Sequence, residues 1–106
     1  MPLETTLSTR EETAIITLNG DLDASGAPIL QEKIERAAEQ DPKCLVLDLT
    51  KLDYLSSAGL RQLVYAQQKL NDDVRIVLVG ANPRVTQTIQ LVGFDQSVTL
   101  TDSLPE

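Results

Sequence analysis

Histidine is absent from this sequence of 106 residues, and cysteine and aromatic residues are scarce. The lack of histidine removes the commonest general base and metal ligand of proteins. Cys44 is the only cysteine, so an internal disulfide is impossible and a structural zinc site is excluded. The aromatic residues Tyr54, Tyr65 and Phe94 provide no platform for stacking bases or sugars. The composition therefore predicts no metal and no cofactor, and it gives little support to catalysis.

Basic residues and long apolar runs are also in short supply. Nine Lys and Arg stand against 16 Asp and Glu, which gives a net charge of −7. Nucleic acids are bound by clustered Lys and Arg, so the charge argues against them and favours a basic protein surface as partner. No apolar run reaches the roughly 20 residues that span a bilayer, and the first residues lack a secretory signal pattern. We expect one cytoplasmic domain over residues 1–106, without membrane insertion.

Alternating strand-like and helical patterns run along the chain. Apolar and β-branched residues predict strands at residues 3–9, 13–18, 44–47, 74–79 and 98–100. Between the later strands, apolar residues at helical spacing predict helices. The order β-β-α-β-α-β-α-β predicts an α/β domain with a mixed sheet, in which a leading antiparallel hairpin precedes parallel strand–helix–strand units. The tail, residues 102–106, is too short for another full helix.

Local signals predict where these elements begin and end. Asn19-Gly20 is expected to end the second strand, and the third is expected to end at residues 48–50. Helix caps are predicted at Asp23 or Ser25, at Ser57, and at Asn82 followed by Pro83. In the third helix Val85, Ile89 and Val92 form the predicted apolar face, and Gly93 is its predicted stop.

Two polar stretches follow predicted strands, at residues 20–25 and 53–61, where sites of α/β proteins usually lie. Asp21 and Asp23 have the Asp-x-Asp spacing with which haloacid-dehalogenase-like phosphatases hold Mg²⁺. The alternative is a helix-capping Asp23 beside a solvated Asp21; the chain is short for such a phosphatase and lacks its downstream lysine and acidic pair. Asp48 ends a buried strand, as a receiver phosphoacceptor does, but the accompanying acids and lysine are missing.

The stretch at residues 53–61 carries adjacent hydroxyls, Ser56 and Ser57. A nucleophilic serine needs a base within hydrogen-bond reach, and only Lys51 is close in sequence. Two hydroxyls exceed what one helix cap requires. Gly59 in the first turn costs about 0.5–1 kcal/mol relative to alanine, which indicates that another backbone or protein comes close. Leu60 and Arg61 offer an apolar and a charged anchor beside the hydroxyls. The residues alone predict a hydroxyl-bearing helix start on an acidic α/β domain.

The pairing of Gly20-Asp21-Leu22-Asp23 with Ser56-Ser57-Ala58-Gly59-Leu60-Arg61 resembles the STAS family of anti-sigma factor antagonists. The resemblance covers nearly the whole chain. It implies a protein that binds an anti-sigma factor with serine kinase activity and thereby frees a sigma factor. The kinase would phosphorylate Ser57, which breaks the complex, and a serine phosphatase would restore it. Ser56, which stands where many members carry an aspartate, is the second choice.

The same resemblance implies a set of partner-binding residues around the phosphoacceptor: Gly20, Asp21, Leu22, Asp23, Ser56, Ala58, Gly59, Leu60 and Arg61. A second hypothesis is a STAS subunit of a lipid or anion transporter, or of a stress-signalling scaffold, with no modified serine. A third is a small phosphatase built on Asp21 and Asp23. The oligomeric state stays open between monomer and dimer.

Overall fold

The computed structural model of the chain describes residues 2–103 and contains one five-stranded mixed sheet with three α-helices. The strands are β1 (Glu4–Arg10), β2 (Thr13–Leu22), β3 (Cys44–Leu55), β4 (Arg75–Val79) and β5 (Thr99–Thr101). The helices are α1 (Ala27–Glu39), α2 (Ser57–Lys69) and α3 (Pro83–Leu91), and a 3₁₀ turn covers Phe94–Gln96. The predicted order of elements is confirmed. The part of the tail at residues 104–106 lies outside the described residues.

The strands lie side by side in chain order, β1-β2-β3-β4-β5. β1 and β2 form an antiparallel hairpin, in which Arg10 pairs with Thr13 across a turn at residues 11–12. All later neighbours are parallel, with Leu45 of β3 beside Ala14 of β2 and Ile76 of β4. The predicted mixed sheet is therefore confirmed, and the carboxyl ends of β2, β3 and β4 share one edge.

The central strands are longer than the local sequence indicates. The predicted ends at Asn19-Gly20 and at residues 48–50 are wrong, because β2 continues to Leu22 and β3 to Leu55. Two register shifts against β2 let β3 accommodate extra residues, one between Thr17 and Asn19 and one between Gly20 and Asp21. Such bulges keep both strands paired through residues that would otherwise break them.

The core lies between the sheet and the helices. All three helices contribute side chains to the same apolar cluster, which includes Leu30 and Ile34 of α1, Leu63 of α2 and Ile89 of α3. The apolar run at residues 44–47 is buried as predicted, apart from the half-buried Cys44. Its Val46 belongs to a smaller cluster with Val77 and Val79, formed by strand residues of the opposite sheet face. The helices thus cover one face, and every helix start that follows a strand opens at the carboxyl edge.

The starts of α1 and α3 show where capping predictions hold. Asn82 caps α3 by accepting a hydrogen bond from the Val85 amide at 2.8 Å, with proline next to it, as predicted. Gly93 ends α3 in the left-handed conformation, at φ 76°, which is also as predicted. The predicted caps of α1 are wrong: Gly26 occupies the N-cap position without a side-chain cap, because Asp23 folds onto the preceding turn instead. No helix among residues 2–103 is long and apolar enough to cross a membrane.

Candidate partner-binding site

The two polar stretches meet at the carboxyl edge of the sheet. Asp21 pairs with Tyr54 and Leu22 with Leu55 at the ends of β2 and β3. Immediately beyond, the Ser56 amide donates a hydrogen bond to the Leu22 carbonyl oxygen at 2.9 Å. The structure therefore brings together residues that lie more than thirty positions apart in the sequence, and it does so through the backbone.

Gly59 in the first turn of α2 allows this junction to close. A β-carbon built on Gly59 would lie 2.5 Å from Leu22 Cγ and 2.7 Å from the Leu22 carbonyl oxygen. Real β-carbons do not approach other atoms so closely, so only glycine fits here without a shift of the backbone. The close approach that the sequence predicts at this glycine is confirmed, and the approaching backbone belongs to the same chain.

Ser56, and not Ser57, caps α2. The Gly59 amide donates to Ser56 Oγ at 3.0 Å, and Ser56 itself is extended, at φ −86° and ψ 170°. The predicted cap at Ser57 is wrong because the bond from Ser56 to Leu22 fixes Ser56 as the last extended residue. The helix therefore begins one residue earlier than a cap at Ser57 would require.

Ser57 consequently stands at the first helical position with its hydroxyl unused. Its side chain is exposed, and no group of residues 2–103 forms a hydrogen bond with it. The amides of Ser57 and Ala58 likewise have no hydrogen-bond partner among residues 2–103, as expected of a first helical turn. A hydroxyl at this place is accessible to another protein and is surrounded by donors and by the positive end of the helix.

Asp23 in the neighbouring loop accepts several hydrogen bonds through its carboxylate. Its Oδ1 accepts hydrogen bonds from the Ser25 hydroxyl at 2.8 Å, the Ser25 amide at 3.1 Å and the Gly26 amide at 3.0 Å. These bonds lower the pKa of Asp23 below its usual value, and the bond from the Ser25 hydroxyl contributes most. Asp23 is therefore ionised at neutral pH and is held by its own loop. No cluster of residues that could hold a metal ion occurs among residues 2–103.

The predicted partner-binding residues divide by accessibility. Ser56, Ala58, Asp21 and Asp23 are half-buried, and Arg61 is exposed. The remaining predicted residues have little or no accessible surface and instead shape the junction: Gly20, Leu22, Gly59 and Leu60. Direct contact with a partner is therefore open to the first group, together with the exposed Ser57.

A groove beside Ser57 was missed by the sequence reasoning. It has a volume of about 440 Å³ and lies between α2 and the end of α3, lined by Ser57, Leu60, Arg61, Val64, Val92 and Phe94 among others. Val92, predicted to face the core, is 60% exposed because α3 ends at Leu91 and the chain turns away there. Leu91 is 78% exposed. The signal was present in the pair of apolar residues directly before Gly93, the predicted helix stop.

Comparison with known proteins shows the family of the chain. The chain matches the STAS domain family over residues 4–106. The anti-sigma-F factor antagonist RsfB of Mycobacterium tuberculosis is 27% identical over 99 residues, which cover 93% of this chain and 81% of RsfB. An anti-sigma factor antagonist from Mycobacterium paratuberculosis has a similar crystal structure, with a TM-score of 0.89 and 26% identity over 96% of this chain and 87% of that one.

The phosphorylated form of the Bacillus cell fate determinant SpoIIAA has the same fold. Its TM-score is 0.75 at 21% identity, and the match covers 95% of this chain and 92% of SpoIIAA. The relatives named here are antagonists of other proteins, and this chain is likewise a binding protein and not an enzyme. With a five-stranded sheet, three helices and a family match over nearly its whole length, the chain belongs to the STAS domain family.

Proposed function

We propose that this protein is a cytoplasmic anti-sigma factor antagonist whose binding is switched by phosphorylation of Ser57. Its partner is an anti-sigma factor with serine kinase activity, and a separate serine phosphatase removes the phosphate. The observation that carries the proposal is the division of roles between the two hydroxyls: Ser56 caps α2, whereas Ser57 is exposed and forms no hydrogen bond with the described part of the chain. The first holds the site in shape and the second is available for modification.

The relatives support both parts of this proposal. RsfB and the protein from Mycobacterium paratuberculosis are named as anti-sigma factor antagonists. SpoIIAA, which shares the fold, exists in a phosphorylated form. The charge of this chain, −7, suits a basic surface on the partner.

The chemistry of the switch follows from the position of Ser57. The Ser57 oxygen attacks the γ-phosphorus of ATP, the bond to ADP breaks, and the phosphoryl group replaces the hydroxyl hydrogen, which leaves as a proton. The change adds a charge of about −1.5 to −2 at neutral pH. The start of α2 stabilises that charge in the free protein by up to about 1 kcal/mol, while the carboxylate of Asp23 opposes it.

When the protein is bound to its partner, the phosphate is less stable than in the free protein. A phosphate enclosed in an interface that fits a neutral hydroxyl is desolvated and is repelled by neighbouring acids. A loss of about 3–4 kcal/mol lowers the affinity by two to three decades. Because the Ser57 hydroxyl forms no hydrogen bond within residues 2–103, this change in affinity requires no refolding of that part of the domain.

A capture experiment with defined forms of the whole chain tests the proposal. Wild type, Ser57→Ala and a form with phosphoserine built in at position 57 are immobilised and exposed to extract of the native cell. We expect wild type and Ser57→Ala to retain the same anti-sigma factor with kinase activity, identified by mass spectrometry, and the phosphoserine form to retain at least a hundredfold less, as estimated from the affinity loss. Ser57→Asp is also expected to bind poorly.

Two results would overturn the proposal. Equal retention of the partner by the phosphoserine form and wild type would remove the switch. Recovery of membrane transporter subunits, with no kinase of the anti-sigma type, would favour the STAS subunit of a transporter instead. Ser56→Ala serves as the matched control, since it removes the adjacent hydroxyl and leaves Ser57 in place.

A further inference from the structure

Arg61 lies one helical turn after Ser57 on the same side of α2. Residues four apart on a helix are neighbours on its surface, within reach of long side chains. Both side chains are exposed, and both line the groove of about 440 Å³ between α2 and the end of α3. Ser57 and Arg61 therefore lie side by side on the wall of the groove that α2 forms.

Arg61 is the sole charged residue among those that line this groove, whose other walls include Leu60, Val64 and Val92. No carboxylate of residues 2–103 pairs with its guanidinium, in contrast to Arg36, which forms an ion pair with Glu32 at 3.0 Å. No carboxylate of the described residues therefore competes with an added anion for the Arg61 guanidinium.

We infer that Arg61 holds the phosphate of phosphorylated Ser57; this inference rests on the proposed function, and it assigns Arg61 as a positioning residue of the switch. A guanidinium offers parallel N–H donors that match phosphate oxygens in a two-point contact. Asp21 and Asp23 lie at the end of β2 and in the loop that follows it, which the Ser56 amide joins to the start of α2, so their charges oppose a phosphate on that side.

This contact changes two features of the surface at once. Phosphorylation adds negative charge at Ser57 and engages the guanidinium of Arg61, so the groove loses its free cation. A partner that contacts unmodified Arg61 through an acidic group then loses that contact in addition to meeting the phosphate. The groove remains open and apolar, and the guanidinium of Arg61 beside it becomes part of an ion pair with the phosphate.

The test is a titration of the phosphate in the whole chain. Phosphoserine is introduced at position 57 during protein synthesis, so that no kinase is needed, and ³¹P NMR follows the second ionisation of the phosphate against pH. We expect the pKa of the phosphate in wild type to lie about 0.3 pH unit below that in Arg61→Gln, the size of an ordinary helical ion pair. Arg61→Lys should retain part of this difference, and 0.5 M NaCl should reduce it.

Arg75→Gln is the matched control, because Arg75 is exposed and begins β4 at the opposite edge of the sheet. It removes the same charge and should leave the phosphate pKa unchanged within error. Equal titration of wild type and Arg61→Gln would overturn the inference, and so would an equal shift in Arg75→Gln. Neither titration result affects the outcome of the capture experiment. Retention of the partner by the phosphoserine form would refute the proposed function, and it would not change the titration.

Discussion

The starts of α2 and α3 follow neighbouring parallel strands and open at the same sheet edge, yet they are built differently. At α3, Asn82 uses both ends of its amide: Oδ1 accepts from Val85 at 2.8 Å and Nδ2 donates to the Leu52 carbonyl oxygen at 3.1 Å. Pro83 then fills the first helical position with a residue that has no amide hydrogen. At α2, Ser56 caps, and the first helical position holds an exposed serine.

The difference separates a closed helix start from an open one. At the start of α3, both polar side-chain atoms of the capping Asn82 have a hydrogen-bond partner. The start of α2 is anchored through the backbone, by the Ser56 amide on Leu22 and by the tight fit of Gly59, so that its second hydroxyl contributes nothing to the anchor. A side chain that is not needed for folding can be modified without unfolding the domain.

Among the variants considered, substitution of Gly59 is expected to lower the free energy of unfolding most. Gly59→Ala places a β-carbon 2.7 Å from a backbone oxygen, so α2 must move away from Leu22. Overpacking of this kind costs about 3 kcal/mol, which exceeds the gain in helix propensity of about 1 kcal/mol. Urea unfolding measures the difference from wild type.

Gly93→Ala is the control for that variant, since nothing lies within 4 Å of its built β-carbon and only its positive φ of 76° is unfavourable. We expect it to cost about 1 kcal/mol. If Gly59→Ala destabilised the protein no more than Gly93→Ala, the tight junction at α2 would be disproved.

Substitution of Asn82 at the closed start of α3 should cause the next largest loss of stability. Asn82→Ala removes the cap of α3 and leaves the Leu52 carbonyl without its donor, for an expected loss of about 2 kcal/mol in the free energy of unfolding. Asn82→Asp retains an acceptor for the Val85 amide and loses only the donor, so it should cost less. Equal losses for the two variants, again in urea unfolding, would show that the cap contributes little.

Substitutions of Ser56 and Ser57 should cause the smallest losses of stability, and these losses should differ between the two serines. Ser56→Ala should cost about 1 kcal/mol because the Gly59 amide loses its acceptor, whereas Ser57→Ala should lie within about 0.5 kcal/mol of wild type. Ser56→Asp restores an equally good cap and should recover the stability. Thermal unfolding of the three variants gives the ranking, and a larger loss at Ser57 than at Ser56 would reverse the assignment of roles.

The same contrast explains what could be predicted from the sequence. Asn82 followed by Pro83 has strong local preferences, so its place in the fold was predicted correctly. Ser56 and Ser57 are identical and adjacent, and the choice between them depends on the hydrogen bond from Ser56 to Leu22, which joins distant parts of the chain. Local sequence contains no information on that bond.

The lengths of the central strands and the groove escaped prediction for a related reason. Asn19-Gly20 normally ends a strand, but pairing with β3 through two bulges carries β2 on to Leu22. Val92 continues the apolar spacing of α3 and is nevertheless exposed, because the helix ends before the spacing brings it to the core. In both places tertiary pairing or the end of an element outweighed the local pattern.

The central claim is that Ser57, and not the capping Ser56, receives the phosphate. Incubation of wild type, Ser56→Ala and Ser57→Ala with native cell extract and labelled ATP, followed by mass spectrometry of the region of residues 53–61, tests it directly. We predict label in wild type and in Ser56→Ala and none in Ser57→Ala. Labelling of Ser57→Ala as strong as that of wild type would contradict the claim.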